Sequence, residues 1–213
     1  MECAEIEDEH ADWSKLKSLD LSFRRLRAID NLVTLDALVT LRLDNNNLTK
    51  IENLGHLSSL TWLDLSYNKI SCVEGLDSLV KLRDLSLFSN ELTTIGEALS
   101  TLPELSVLSI GDNNISSLDE LQPLRKLPGL RALTACGNPC SAEEKKDEYE
   151  AFVLAYIGAR LRYLDHRIVA EEKLASAQEQ FQNELEGKDP APLGMHVKCI
   201  LLEDSHDVTS LHK

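Results

Sequence analysis

An eleven-residue pattern recurs along this chain at nearly constant spacing, and it limits the possible folds more than any other feature. Leu38, Leu41, Leu43, Asn46 and Leu48 spell L-x-x-L-x-L-x-x-N-x-L. The pattern returns at Leu60, Leu63, Leu65, Asn68 and Ile70, then at Leu82, Leu85, Leu87, Asn90 and Leu92, and again at Leu105, Leu108, Ile110, Asn113 and Ile115. A weaker copy runs Leu130, Leu133, Ala135, Asn138 and Cys140. An imperfect first copy, Leu16, Leu19, Leu21 and Leu26, carries Arg24 where the asparagine belongs. The copies begin at 16, 38, 60, 82, 105 and 130, so they are spaced by 22, 22, 22, 23 and 25 residues. A unit this short cannot bury its own apolar face, so the copies must stack.

Within each copy, apolar residues at offsets 3 and 5 alternate with polar ones, which is strand periodicity. The return path carries further apolar pins: Ile51, Leu54 and Leu57 in one copy, Val73, Leu76 and Leu79 in the next. A repeat of 22 residues leaves room for a helical turn or two on the convex side. The pattern resembles the leucine-rich repeat. It implies an α/β solenoid of about six repeats over 16–140, with parallel strands on the concave face. Asn46, Asn68, Asn90, Asn113 and Asn138 are then expected to form a ladder. Each stands where backbone groups leave the strands, and an amide side chain offers them two donors and an acceptor. Arg24 falls at the open end, where a missing rung matters least.

A solenoid needs closed ends. Residues 1–15 read as an acidic leader, expected to be mobile from Glu2 to Asp12, and an amino-terminal cap supplied by Trp13. Residues 141–168 read as the carboxyl-terminal cap. Ser141 and Glu144 have capping-box spacing. Tyr149, Phe152, Val153, Tyr156 and Ile157 fall on one helical face, and Leu161, Tyr163, Leu164 and Asp165 form a short return. A further helix is predicted over 169–186, with Leu174, Ala177 and Phe181 at heptad-like spacing and Glu171 and Glu172 near its positive end. It stops at Gly187, before Asp189-Pro190-Ala191-Pro192. Residues 187–213 read as an irregular tail whose apolar run, Val197 to Leu202, is too short for a domain.

The chain shows no phosphate-binding loop, G-x-G-x-x-G, H-E-x-x-H or G-x-S-x-G. Its six histidines are scattered, and His56 falls on the convex path, where exposure is expected. No catalytic residue, cofactor or small-molecule substrate is assigned. Five cysteines without a paired pattern fit reduced cytosolic thiols. A zinc site of Cys136, Cys140, His196 and Cys199 is disfavoured by poor spacing, and Cys140 reads as a small apolar core residue. The net charge of −14 argues against binding nucleic acid; it reads first as a source of solubility and also permits a basic protein partner. No stretch reaches membrane-spanning length, and the acidic amino terminus does not read as a signal peptide.

The repeats hold four aromatic residues, Phe23, Trp62, Tyr67 and Phe88, none on a leucine pin. Trp62 at offset 2 and Phe88 at offset 6 should face the concave side. Phe23 and Tyr67, at offset 7, should lie on the exit edge of the strands. Arg42 points the same way between them. An arginine among exposed aromatics suits a binding hot spot, so Arg42, Trp62, Tyr67, Phe88 and Phe23 are the candidate partner-binding residues, although for Phe23 and Tyr67 the favoured reading is an aromatic packed over the neighbouring turn. Asp44, Asp64, Asp84 and Asp112 add acidic groups around them.

Beyond the repeat consensus, several words are more particular. LDLSFRRLRAIDNL at 19–32, LTWLDLSYNKISCVEGLDSLVKLRDLSLFSNEL at 60–92, LSVLSIGDNNIS at 105–116 and GNPCSAEEKKDEYEAFVLAYIGARLRYLDHRIV at 137–169 resemble subunit 3 of the nexin–dynein regulatory complex. The resemblance covers about 16–186. It implies a non-catalytic scaffold of the motile cilium or flagellum, located in the cytoplasm, cytoskeleton and axoneme. Its partners would be other subunits of that complex or axonemal dynein. Members of that family continue into long coiled coils, whereas this chain departs from them after 186. The repeat length also resembles a phosphatase-1 regulatory subunit, and the compact length with its cap resembles an outer-arm dynein light chain.

Overall fold

The computed structural model describes residues 12–187. The leader over 1–11 and the tail over 188–213, with His196, Cys199 and the run Val197 to Leu202, lie outside the described residues. Six parallel strands of three residues each stack in chain order: β1 (Ser18–Asp20), β2 (Thr40–Arg42), β3 (Trp62–Asp64), β4 (Asp84–Ser86), β5 (Val107–Ser109) and β6 (Ala132–Thr134). The register never slips. Leu19 pairs with Leu41, and Leu41 with Leu63, and the row continues through Leu85, Leu108 and Leu133. A one-residue slip would turn each of these leucines to solvent, so the buried pins fix the pairing. The predicted solenoid is the fold observed.

The core is one continuous column. Leu41, Leu63, Leu85, Leu108 and Leu133 are at most 2% exposed, and the return pins Ile51, Leu54, Leu57, Leu76 and Leu79 are equally buried. The three 22-residue repeats return through turns without helix. Helical structure appears on the convex side only in the longer repeats, as 3₁₀ turns at Ala98–Thr101 and Leu118–Lys126. The extra one to three residues supply that turn, so the helical turn expected in the 22-residue unit is absent there. His56 is half-buried rather than exposed, because its Nε2 meets the Leu32 carbonyl of the preceding repeat at 2.8 Å.

The asparagine ladder is present in full, and all five rungs are buried. The Asn68 amide donates to the carbonyls of Leu43 (3.0 Å), Leu65 (3.0 Å) and Ser66 (3.1 Å), while its oxygen accepts from the Leu48 N–H at 3.0 Å. Asn90, Asn113 and Asn138 likewise bind a carbonyl and an N–H of the repeat before their own. Asn46 accepts from the backbone of Arg24 and Leu26, so the first repeat is held although it has no rung of its own.

The two ends differ. The 3₁₀ turn Trp13–Lys15 buries no side chain, and Trp13 is 49% exposed. Trp13 therefore does not close the amino end, and Leu16, Leu19, Leu21 and Leu26 remain only partly buried. The carboxyl end is shut by α1 (Lys146–Tyr156) and a seventh strand, β7 (Tyr163–Leu164), which pairs parallel to β6 and turns back into β8 (Arg167–Ile168). Tyr149, Phe152, Val153 and Ile157 are buried as their spacing predicts, and Tyr156 stacks on Phe152 with ring centres 4.5 Å apart. The capping box is not Ser141 with Glu144. Ser141 instead pairs with Asn138, the last rung, and two 3₁₀ turns intervene before α1 begins at Lys146. Helix α2 (Glu171–Gly187) begins two residues later than predicted and packs on α1, with Leu174 against Gly158 and Ala177 buried.

Asp165 completes the cap. One oxygen accepts from the N–H groups of Ala135 and Cys136 at 2.8 and 2.9 Å, and the other from the Tyr149 hydroxyl at 2.8 Å. Burial, then the Asp165 charge, pushes the Tyr149 hydroxyl pKa up, so it stays a donor. Asp165 and His166 both have positive φ, which a two-residue hairpin turn requires. Two substitutions test these contacts. Asn68→Ala orphans the buried Leu48 N–H and should cost about 1–3 kcal/mol in urea unfolding. Asp165→Ala strands three donors and should cost about 2 kcal/mol or more, with Tyr149→Phe costing less.

Candidate partner-binding surface

The concave face follows from the register. Residues at offset 2 form one lateral row: Ser18, Thr40, Trp62, Asp84, Val107, Ala132 and, through β7, Tyr163. Offset 4 forms the next row: Asp20, Arg42, Asp64, Ser86, Ser109 and Thr134. Beyond it lie Ser22, Asp44, Ser66 and Phe88 at offset 6, then the exit edge at offset 7.

In the first three repeats the charged groups of the strands and their exits are engaged within the sheet. Arg42 lies 3.5 Å from both Asp20 and Asp44, so it is held in an acidic bracket rather than offered as a free cation. The Ser22 hydroxyl sits 2.6 Å from Asp20 and 2.5 Å from Asp44, and Asp64 accepts from the backbone and hydroxyl of Ser66. Burial alone would raise the Asp44 pKa. The Ser22 hydroxyl, the Asn45 amide and Arg42 outweigh it and hold that carboxyl below its ordinary range.

Asp84 stands apart. It is half-buried between Trp62 and Val107 in the offset-2 row. Among the described residues its carboxylate has no hydrogen bond or ion pair. Burial raises its pKa, and the Arg83 charge offsets this only in part; that guanidinium is bound to Glu104 at 2.8 and 2.9 Å.

The four candidate aromatics do not form one patch. Phe88 is half-buried, edge-on to Tyr67 with ring centres 5.7 Å apart, and its ring lies over Gly111, where any side chain would collide with it. Phe88 is thus packed into the exit edge rather than free. Tyr67 (51% exposed) and Phe23 (73% exposed) share the left-handed backbone found at every offset-7 position, with φ of 54° and 59°. Asn45, Asp112 and Gly137 adopt that conformation readily in their repeats, but an aromatic there is strained. Trp62 lies on the opposite margin of the face, and among the described residues no ring contact joins it or Phe23 to the others. The sequence reading omitted Val107 and Tyr163, which are 39% and 49% exposed in the Trp62 row. A signal existed for Tyr163: Leu161 and Leu164 form the opening L-x-x-L of a further copy, with Tyr163 at offset 2.

Comparison with known proteins gives a consistent result. A leucine-rich-repeat family model matches residues 48–191, and a second matches 14–70. Leucine-rich repeat-containing protein 51 of Bos taurus is 41% identical over 68 residues, which is 32% of this chain and 35% of the relative. Leucine-rich repeat-containing protein 23 of Bos taurus is 36% identical over 90 residues, 42% of this chain and 25% of the relative. The matches thus cover only about a third or less of these relatives' lengths. Among solved structures, a chain of the Drosophila melanogaster SNF/U2A′ complex is similar over 84% of this chain and 85% of that one, at 26% identity and a TM-score of 0.53. A leucine-rich-repeat protein of Leptospira interrogans is similar over 70% of this chain and 37% of that one, at 25% identity and a TM-score of 0.59.

The charge states of the face are testable. An aspartate whose folded pKa is raised destabilises the fold where it is ionised, above its unfolded pKa, and that cost vanishes as pH falls. Asp84→Asn should therefore raise Tm by about 1–2 °C at pH 7 and leave it unchanged near pH 3. Asp44 has a lowered pKa, so its stabilisation is present above the unfolded value and is lost as pH falls through the folded one. Asp44→Asn should lower Tm at pH 7 and flatten the loss of Tm in acid. Thermal melts across that pH range separate the two signs.

Proposed function

Because this chain belongs to the leucine-rich-repeat family, we propose that it is a non-catalytic scaffold of the motile cilium or flagellum axoneme, a subunit of the nexin–dynein regulatory complex that docks its partner on the concave face. That the fold serves protein–protein interaction follows from the family and from a face built as an open parallel sheet. The observation that carries the docking surface is the contrast across that sheet. The carboxylates of β1 to β3 and their exits are bonded internally, whereas Asp84, Val107 and Tyr163 are left for solvent or a partner. Fold similarity to a chain of the SNF/U2A′ complex supports an assembly role. The axonemal assignment is supported by the words LDLSFRRL, WLDLSYN, LSLFSNEL and LRYLDHR. Partners under this reading are other subunits of the complex or axonemal dynein.

Expression of the tagged full-length chain in ciliated cells, followed by salt extraction of axonemes, tests the assignment. Signal should remain along the doublets after extraction. A diffuse cytoplasmic signal would sink the axonemal assignment, and stoichiometric capture of a phosphatase-1 catalytic subunit would then replace it with a phosphatase-regulator role.

A further inference from the structure

We infer that the row Trp62–Asp84–Val107–Ala132–Tyr163 is a recognition stripe for an amphipathic partner helix that places one basic residue, preferably arginine, on Asp84. This rests on the reading of the concave face as the docking surface and specifies the chemistry of what docks there. The five residues are consecutive neighbours in register across β3 to β7. Four are apolar or aromatic, with Val107 39% and Tyr163 49% exposed, and the fifth is the carboxylate that lacks a partner among the described residues. The other strand carboxylates are already bonded: Asp20 by Ser22 and Arg42, and Asp64 by Ser66. Asp84 is therefore the strand carboxylate whose desolvation by a partner must be offset by a charge from that partner.

Spacing selects the occupant. Four strand steps of about 4.8 Å make a stripe of roughly 19 Å. A helix presents one side-chain ridge per 5.4 Å turn, close to one per strand, and about 13 of its residues span the stripe. An extended segment repeats on one face every ~6.7 Å and loses register within two strands. A helix would thus set a basic residue on Asp84 and apolar residues one turn away on either side, over Trp62 and Val107. Two more apolar residues on the same face would cover Ala132 and Tyr163. Arginine is preferred to lysine because its guanidinium can also stack on the Trp62 ring.

The probe is a displayed library of helical peptides, about 14 residues long, with the ridge positions randomised. It is selected against the full-length chain, and the enriched peptides are measured by calorimetry. Enriched peptides should share one Arg or Lys flanked by apolar residues at three- or four-residue spacing. Asp84→Asn should weaken them about tenfold, and Val107→Lys, at an exposed site, by at least as much. Phe23→Ala should change affinity less than about twofold. Cooperative melting at or above the wild-type Tm excludes misfolding, and Val107→Lys, at an exposed site, tests the stripe independently of Asp84. Peptides without a basic residue, or affinity insensitive to Asp84 and Val107, overturn the stripe. If such peptides are lost instead on Tyr67→Ala, docking moves to the exit edge and the scaffold reading survives. If no peptide is enriched, both the stripe and the concave docking reading fail.

Discussion

The side-chain amide of one asparagine per repeat is the contact on which the rest of the structure depends. Three-residue strands bury leucines on one side and then must turn inward, which removes backbone carbonyls and an N–H from the sheet while they are still buried. Asn68 alone serves three carbonyls and one N–H, spread over its own repeat and the one before. No apolar residue could occupy that position without orphaning them, and no other uncharged side chain of that length offers donors and an acceptor together. Each rung reaches back one repeat, so every turn is stabilised only once its successor has stacked. Local sequence and long-range order are thereby joined in a single residue type, as nearest-neighbour stability in a solenoid requires.

That dependence explains what was legible in the sequence. The rungs and the leucine pins occupy fixed offsets, so the strands, their register and the buried column could be read before any coordinate. The departures arose where the period fails. Ser141 and Glu144 match a capping box by spacing, yet the Asn138 rung takes Ser141 for itself and delays α1. Asp165 lies in a cap with no repeat partner, and its double role on β6 and Tyr149 is visible only when β7 is seen to extend the sheet. Phe88 reads as an exposed aromatic until Gly111 is recognised as the small residue that receives its ring. In each case the deciding contact joins residues at different offsets or outside the periodic segment, which a pattern of one repeat cannot encode.

The candidate surface divides along the same line. Which positions face the concave side is set by offset and was legible. Which of those groups is available to a partner depends on lateral neighbours one repeat away. Arg42 is enclosed because Asp20 and Asp44 stand beside it, and Asp84 is left over because its neighbours in the row are Trp62 and Val107. A net charge of −14 says only that a basic partner is welcome. The pairing of the carboxylates says where on the sheet its charge would count.

The cap carries a consequence for the chain beyond it. Leu174 and Ala177, two of the three heptad-spaced residues of α2, are turned onto α1 and Gly158, and Lys173 is fastened to Glu150 at 2.8 Å. A residue packed against α1 cannot at the same time fill a hole in a second helix, since knobs-into-holes packing needs the whole a/d face. The apolar stripe that resembles the start of a coiled coil is therefore occupied within the cap. Forming a coiled coil along this face would require α2 to leave α1 and would uncover Ala177, which is now 5% exposed. Over the described length, the solenoid is closed at its carboxyl end, and α2 belongs to that cap.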